Sequence, residues 1–134
     1  MDETLRELLL YRYHRAVETL EVAKELYDNG HYKDANNRSY YAAFYAMRSV
    51  FTLEGKDFKK HKTLLAEFNK TFVATGIFPR TLGRKISTLA IIREQSDYSE
   101  FYIASAAESF QQIEIAQEII ESVKEYLQGQ GIDF

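Results

Sequence analysis

Residues 37–51 read NRSYYAAFYAMRSVF, and the apolar positions recur at helical spacing with no strand-like alternation. Ala35, Ala42, Tyr45 and Ser49 fall on one helical stripe, while Tyr41, Phe44, Met47 and Phe51 cover another. A helix that is apolar on more than one side belongs inside a bundle, where its alanines let neighbouring helices approach closely. The spacing therefore predicts a central helix over about residues 31–54.

The rest of the chain supplies the neighbours. Upstream, a helix over about 3–28 places Leu9, Tyr13, Ala16, Leu20, Ala23 and Tyr27 on one stripe, and Asn29-Gly30 ends it. Downstream, Gly55 breaks the chain before a helix over about 59–75 with His61, Leu64 or Leu65, Phe68 and Phe72 along one side. Gly76 and Pro79 close that segment. A fourth helix over about 79–95 starts with proline, whose missing N–H costs little in the first turn. It turns Leu82, Ile86 and Leu89 inward, and the next position on that stripe is Arg93. The fifth, over about 100–128, reads Phe110, Ile113, Ala116, Ile120, Val123 and Leu127, after which Gly129 and Gly131 release a short tail over 129–134. No pair of alternating runs flanks a hairpin turn. The expected fold is all-α: an antiparallel bundle of four to five helices in one domain over residues 1–128.

Composition narrows the chemistry. A chain of 134 residues buries a core without disulfide or metal staples, and the absence of cysteine removes thiolate ligands and thiol nucleophiles. The start, MDETLRELLLYRYHR, is charged throughout, unlike a secretory leader, and no window approaches the roughly 18 apolar residues of a membrane span. A cytoplasmic protein is expected. The net charge of −3 conceals an asymmetry: residues 38–93 carry 11 Lys/Arg against 3 Asp/Glu, and residues 94–134 carry 1 Lys against 9 Asp/Glu. Either these segments neutralise one another on packing, or the first offers a basic surface to phosphates.

Two arginines stand where periodicity predicts burial: Arg38 between Ala35 and Ala42, and Arg93 after Leu89. Arginine cannot shed its charge, so each requires an anion or carbonyl partner. Asp97, four residues beyond Arg93, pairs with it if the helix persists that far. His61 lies within the basic run Lys59-Lys60-His61-Lys62, either as a helix-start histidine against Tyr41 or Arg38 or as a base. The lysines, with Phe58 beside them, make either a solvated helix start or a nucleic-acid contact. Tyr40, Tyr41, Phe44 and Tyr45 read as core, with one hydroxyl free for a ligand. His14 and His31 lack ligand spacing, so no metal or cofactor is expected.

NRSYYAAFYAMRSVF, followed by KKHKTLLAEF (residues 59–68) and IIREQSDYS (residues 91–99), resembles the HEPN superfamily over nearly the whole chain. The similarity is greatest to small stand-alone members found beside minimal nucleotidyltransferases, and extends to the helical C-terminal domain of kanamycin nucleotidyltransferase. The resemblance implies a homodimeric bundle in a toxin–antitoxin or defence module, paired with a nucleotidyltransferase and binding RNA or nucleotide. Catalytic members are metal-independent endoribonucleases that use an Arg, four to six residues, then a His, two copies meeting across a dimer cleft. Here Arg93 matches the arginine, but Glu94–Ser99 follow and no histidine occurs after His61. Cleavage needs a base for the 2′-hydroxyl and a cation for the phosphorane; Arg93 supplies only the cation. Asp97 serves as base only with a raised pKa, and Tyr98 only with a lowered one. The candidate catalytic set is Arg93, Asp97 and Tyr98, and the candidate RNA or nucleotide contacts are Arg38, Tyr41, His61, Lys59 and Lys60. A non-catalytic dimeric interaction module, or an endoribonuclease with a substituted base, are the alternatives.

Overall fold

The computed structural model describes residues 1–134 and is all-helical. Five α-helices run in order: α1 Glu3–Asp28, α2 Tyr32–Thr52, α3 His61–Phe68, α4 Arg80–Tyr98 and α5 Ala106–Gly129, with a π-helical turn, Asn69–Val73, continuing α3. The central position expected for α2 is observed, since it packs against α1, α5, α4 and α3. Its alanines Ala35, Ala42, Ala43 and Ala46 are all but inaccessible, which is where the helices come together.

Local chemistry sets the boundaries. Asp2 caps α1 by accepting from the Thr4 and Leu5 amides at 2.7 and 3.3 Å. At the other end Gly30, with φ +79°, closes a Schellman turn: its amide donates to the Tyr27 carbonyl and that of His31 to Leu26. This compact reversal lays α2 back against α1.

Four expectations are corrected. The third helix is not α-helical throughout, because an amide from Ala74 reaches the Asn69 carbonyl at 2.7 Å, five residues back. The wider turn brings Phe72 and its neighbour Val73 inward together, behind Phe68. The fourth helix runs three residues further than expected, to Tyr98, keeping Asp97 in helical register with Arg93. The fifth begins at Ala106, because the Ser105 hydroxyl caps it by accepting from the Glu108 amide. Residues 99–105 therefore form a connection that leaves Phe101 94% and Ile103 87% exposed, and Phe110, expected inward, is also exposed. The fourth correction concerns the tail. Gly131, φ +92°, forms a second Schellman turn, with Ile132 donating to Leu127, and Ile132 joins the core. Phe134 then packs on Tyr13 at 4.6 Å between ring centroids.

Ala42→Leu adds volume at a position with no accessible surface, and is expected to cost about 1–3 kcal/mol through overpacking where the helices approach closely. Urea unfolding checks this; an unchanged midpoint would contradict the close approach.

Candidate functional site at the α2–α4 crossing

The end of α4 meets the first half of α2 around Arg93. Its Nη2 donates to the Tyr41 hydroxyl at 2.9 Å, and its Nε stands 2.9 Å from Asp97 Oδ2 without hydrogen-bond alignment, so that contact is an ion pair. The guanidinium carbon also lies 5.3 Å from the ring centroids of both Tyr40 and Tyr41, and 5.6 Å from that of Tyr98. Burial opposes the Arg93 charge, but Tyr41, Asp97, Tyr98 and Tyr40 outweigh it and push the pKa above the ordinary arginine value. A charged arginine on the inward stripe thus finds its anion in the Asp97 that helical spacing nominated. Its Nη1 makes no hydrogen bond and is not buried, leaving one edge for a second anion.

Asn37 ties this group to α2. Its amide nitrogen donates to both Asp97 oxygens, at 3.2 and 2.9 Å, and its carbonyl accepts from Arg38 Nε at 2.9 Å. Arg38 also lies 4.9 Å over the Tyr41 ring and has no carboxylate partner. Deeper still, the Asn36 amide donates to Ser96 Oγ at 3.2 Å, a buried bond that sets the register of α2 against α4. The resulting chain runs Arg38, Asn37, Asp97, Arg93, Tyr41.

His61 opens α3 and packs against the same aromatics: ring centroids lie 4.5 Å from Phe44, 5.2 Å from Tyr41 and 5.6 Å from Tyr40. Burial, and then the Arg93 charge, hold its pKa below the usual 6.5. Tyr40 is pushed up to about 12, chiefly by burial, and so keeps its proton.

Of the candidates read from sequence, the structure brings together Arg93, Asp97, Tyr98, Arg38, Tyr41 and His61. Lys59 and Lys60 are exposed on the segment leading into His61. Sequence reasoning missed Asn37 as the link between Arg38 and Asp97; the available signal was its place four residues before Tyr41, on the same side of α2. Tyr40 is core as expected, and nothing in the sequence signals that its ring lies beside the Arg93 guanidinium. No group of carboxylates and histidines here could hold a metal.

Because the folded chain resists protonation of His61, the unfolded chain binds that proton more readily below about pH 6.5, and acidification favours unfolding. Above that pH both states are neutral at this position and the contribution vanishes. Wild type should lose melting temperature between about pH 7 and pH 5, and His61→Phe should lose less. An NMR titration should place the His61 midpoint below 6.5; a midpoint above it would contradict the packing described.

Comparison with known proteins assigns the fold to a family. Residues 9–126 match the HEPN domain. A "UPF0332 protein" of Thermotoga maritima is 37% identical over 94 residues, covering 70% of this chain and 71% of the relative. A Methanocaldococcus jannaschii protein named "Putative toxin" is 30% identical over 99 residues, 74% of each chain. A second protein of that name and organism is 30% identical over 84 residues, 63% of this chain and 57% of the relative. With nearly the whole bundle inside the matched segment, the chain belongs to the HEPN domain family.

Proposed function

We propose that this chain is the RNA- or nucleotide-binding HEPN component of a toxin–antitoxin or related defence module, paired with a nucleotidyltransferase, and that Arg93 receives a phosphate of its ligand. The observation that carries this reading is the Arg93 guanidinium, kept cationic by tyrosines and Asp97 with one edge unused. Arg38, without a carboxylate of its own, and the exposed Lys59 and Lys60 add positive charge nearby. Relatives named "Putative toxin" favour the module, and no helix is long and apolar enough to cross a membrane.

A second reading, metal-independent cleavage, is favoured by His61. An imidazole held neutral beside an arginine is suited to accept the proton of a ribose 2′-hydroxyl while that oxygen attacks the adjacent phosphorus. The 5′-oxygen then leaves and takes a proton from water, giving a 2′,3′-cyclic phosphate, with Arg93 stabilising the phosphorane charge. This replaces the histidine absent after Arg93 by one from another helix.

A homodimer is part of the proposal. The sequence leads us to expect more apolar surface on the second and fourth helices than a bundle of this size hides, and on α2 most of it is buried, Tyr41 and Tyr45 being half-buried. On α4 and just beyond it apolar surface is left unpartnered: Ile91, Tyr98, Phe101 and Ile103 are all more than half exposed. Sedimentation at micromolar concentrations should show a dimer; a monomer throughout would remove this element.

Arg93→Ala should weaken RNA binding and flatten its salt dependence by about one phosphate's worth, read at two salt concentrations beside a melting curve. Loss of stability with unchanged affinity of the folded fraction would mark Arg93 as structural alone. With metal chelated, His61→Ala should abolish any turnover while binding persists, and Tyr98→Phe should not. Turnover surviving His61→Ala would exclude His61 as the base.

A further inference from the structure

The Arg93 site lies at one end of a longer feature. On α2, Arg38, Tyr41, Tyr45 and Arg48 follow one another at spacings of three, four and three, a single helical stripe, and all four are half-buried. The Tyr41 and Tyr45 rings are neighbours, with centroids 6.0 Å apart. Arg93 and Arg38 lie over Tyr41, and at the far end Arg15 of α1 lies 4.4 Å over Tyr45.

The far end carries uncompensated charge. Arg48 makes a two-pronged bond to Asp57, at 2.7 and 2.8 Å, and Arg12 shares the same carboxylate at 3.4 Å. Two guanidinium charges therefore meet one carboxylate. Arg15, exposed beside them, has the Tyr45 ring as its contact and no carboxylate partner. Helix packing does not require this arrangement, because α1 and α2 already pack along their buried faces, which carry the inaccessible Ala16 on α1 and Ala42 and Ala46 on α2.

Resting on the reading of Arg93 as a phosphate site, we infer that the ligand is a single-stranded nucleic acid segment lying along this stripe, with a second phosphate subsite at Arg15 and Arg48. From Arg38 to Arg48 the helix advances about 15 Å, the rise of ten residues. That is too long for one nucleotide and matches about four stacked nucleotides at ~3.4 Å each. A stripe one helix wide, with two neighbouring aromatic rings flanked by arginines, suits one strand, whose phosphates meet the cations and whose bases lie against the rings.

The test uses the full chain, a labelled single-stranded RNA of about twelve nucleotides, DNA of the same sequence, and a mononucleotide. Arg15→Ala, at an exposed position, should weaken the RNA by about fivefold or more and lower its salt slope by about one, leaving mononucleotide affinity and melting temperature unchanged. Arg15→Lys should recover part of the affinity. DNA binding as tightly as RNA would assign recognition to the shared phosphate backbone, and weaker DNA binding would add a ribose contact; both support the strand. Wild-type affinity in Arg15→Ala, alongside weakened binding in Arg93→Ala, would overturn the second subsite and leave the Arg93 site standing. Indifference to Arg93→Ala would overturn the Arg93 reading itself. Polyglutamate competing as well as RNA would show a general polyanion surface and overturn the nucleic-acid assignment.

Discussion

A guanidinium that cannot release its proton sits at the crossing of α2 and α4, and the surrounding structure is arranged to hold it. Arg93 would be costly on an inward stripe without an anion, and Asp97 supplies one a single helical turn away. Asp97 is itself held by Asn37, so the ion pair also ties the end of α4 to the start of α2. The tyrosine rings complete the enclosure through contacts worth about 0.5–2 kcal/mol each, depending on how far the cation is desolvated. An arginine stabilised in this way is fixed in position yet remains a cation with an unused edge. Those are the properties that phosphate binding needs.

Charge distribution extends the same logic. The basic central segment and the acidic C-terminal one meet in only two ion pairs, Lys85–Glu118 and Arg93–Asp97. Internal neutralisation is therefore incomplete, and Arg38, Lys59, Lys60, Arg80 and Arg84 have no carboxylate partner. Of these, Lys59 and Lys60 lead into His61 at the start of α3 and Arg38 lies over Tyr41 at the Arg93 site, whereas Arg80 and Arg84 stand at the opposite end of α4. The imidazole of α3 and the guanidinium of α4 both stand against the Tyr41 ring although they come from different helices.

The bundle was legible because helical periodicity follows from burial. Leu9, Ala16, Leu64, Leu82, Ile113 and Leu127 are all on the core side that their spacing assigns them. The Arg93–Asp97 pair was legible for the same reason, being fixed by one turn of helix. Boundaries were less so. The reading passed over the capping signature Ser105-Ala-Ala-Glu108, and with it the exposed connection that bears Phe101 and Ile103. Gly131 was read as releasing the tail, although the same residue at Gly30 marks a turn whose following residue is held against the helix.

The sequence by itself determined which residues form helices, which face of each is apolar, and which charges lie within one turn of each other, because these are properties of separations of three and four residues. It left open what meets across helices. That Asn37 reaches Asp97, sixty residues away, that His61 packs on Tyr41, and that Arg15 lies over Tyr45 depend on the angles and register at which helices cross. Those are set by the summed packing of small side chains such as Ala42 and by the buried Asn36–Ser96 bond, not by spacing within any one helix.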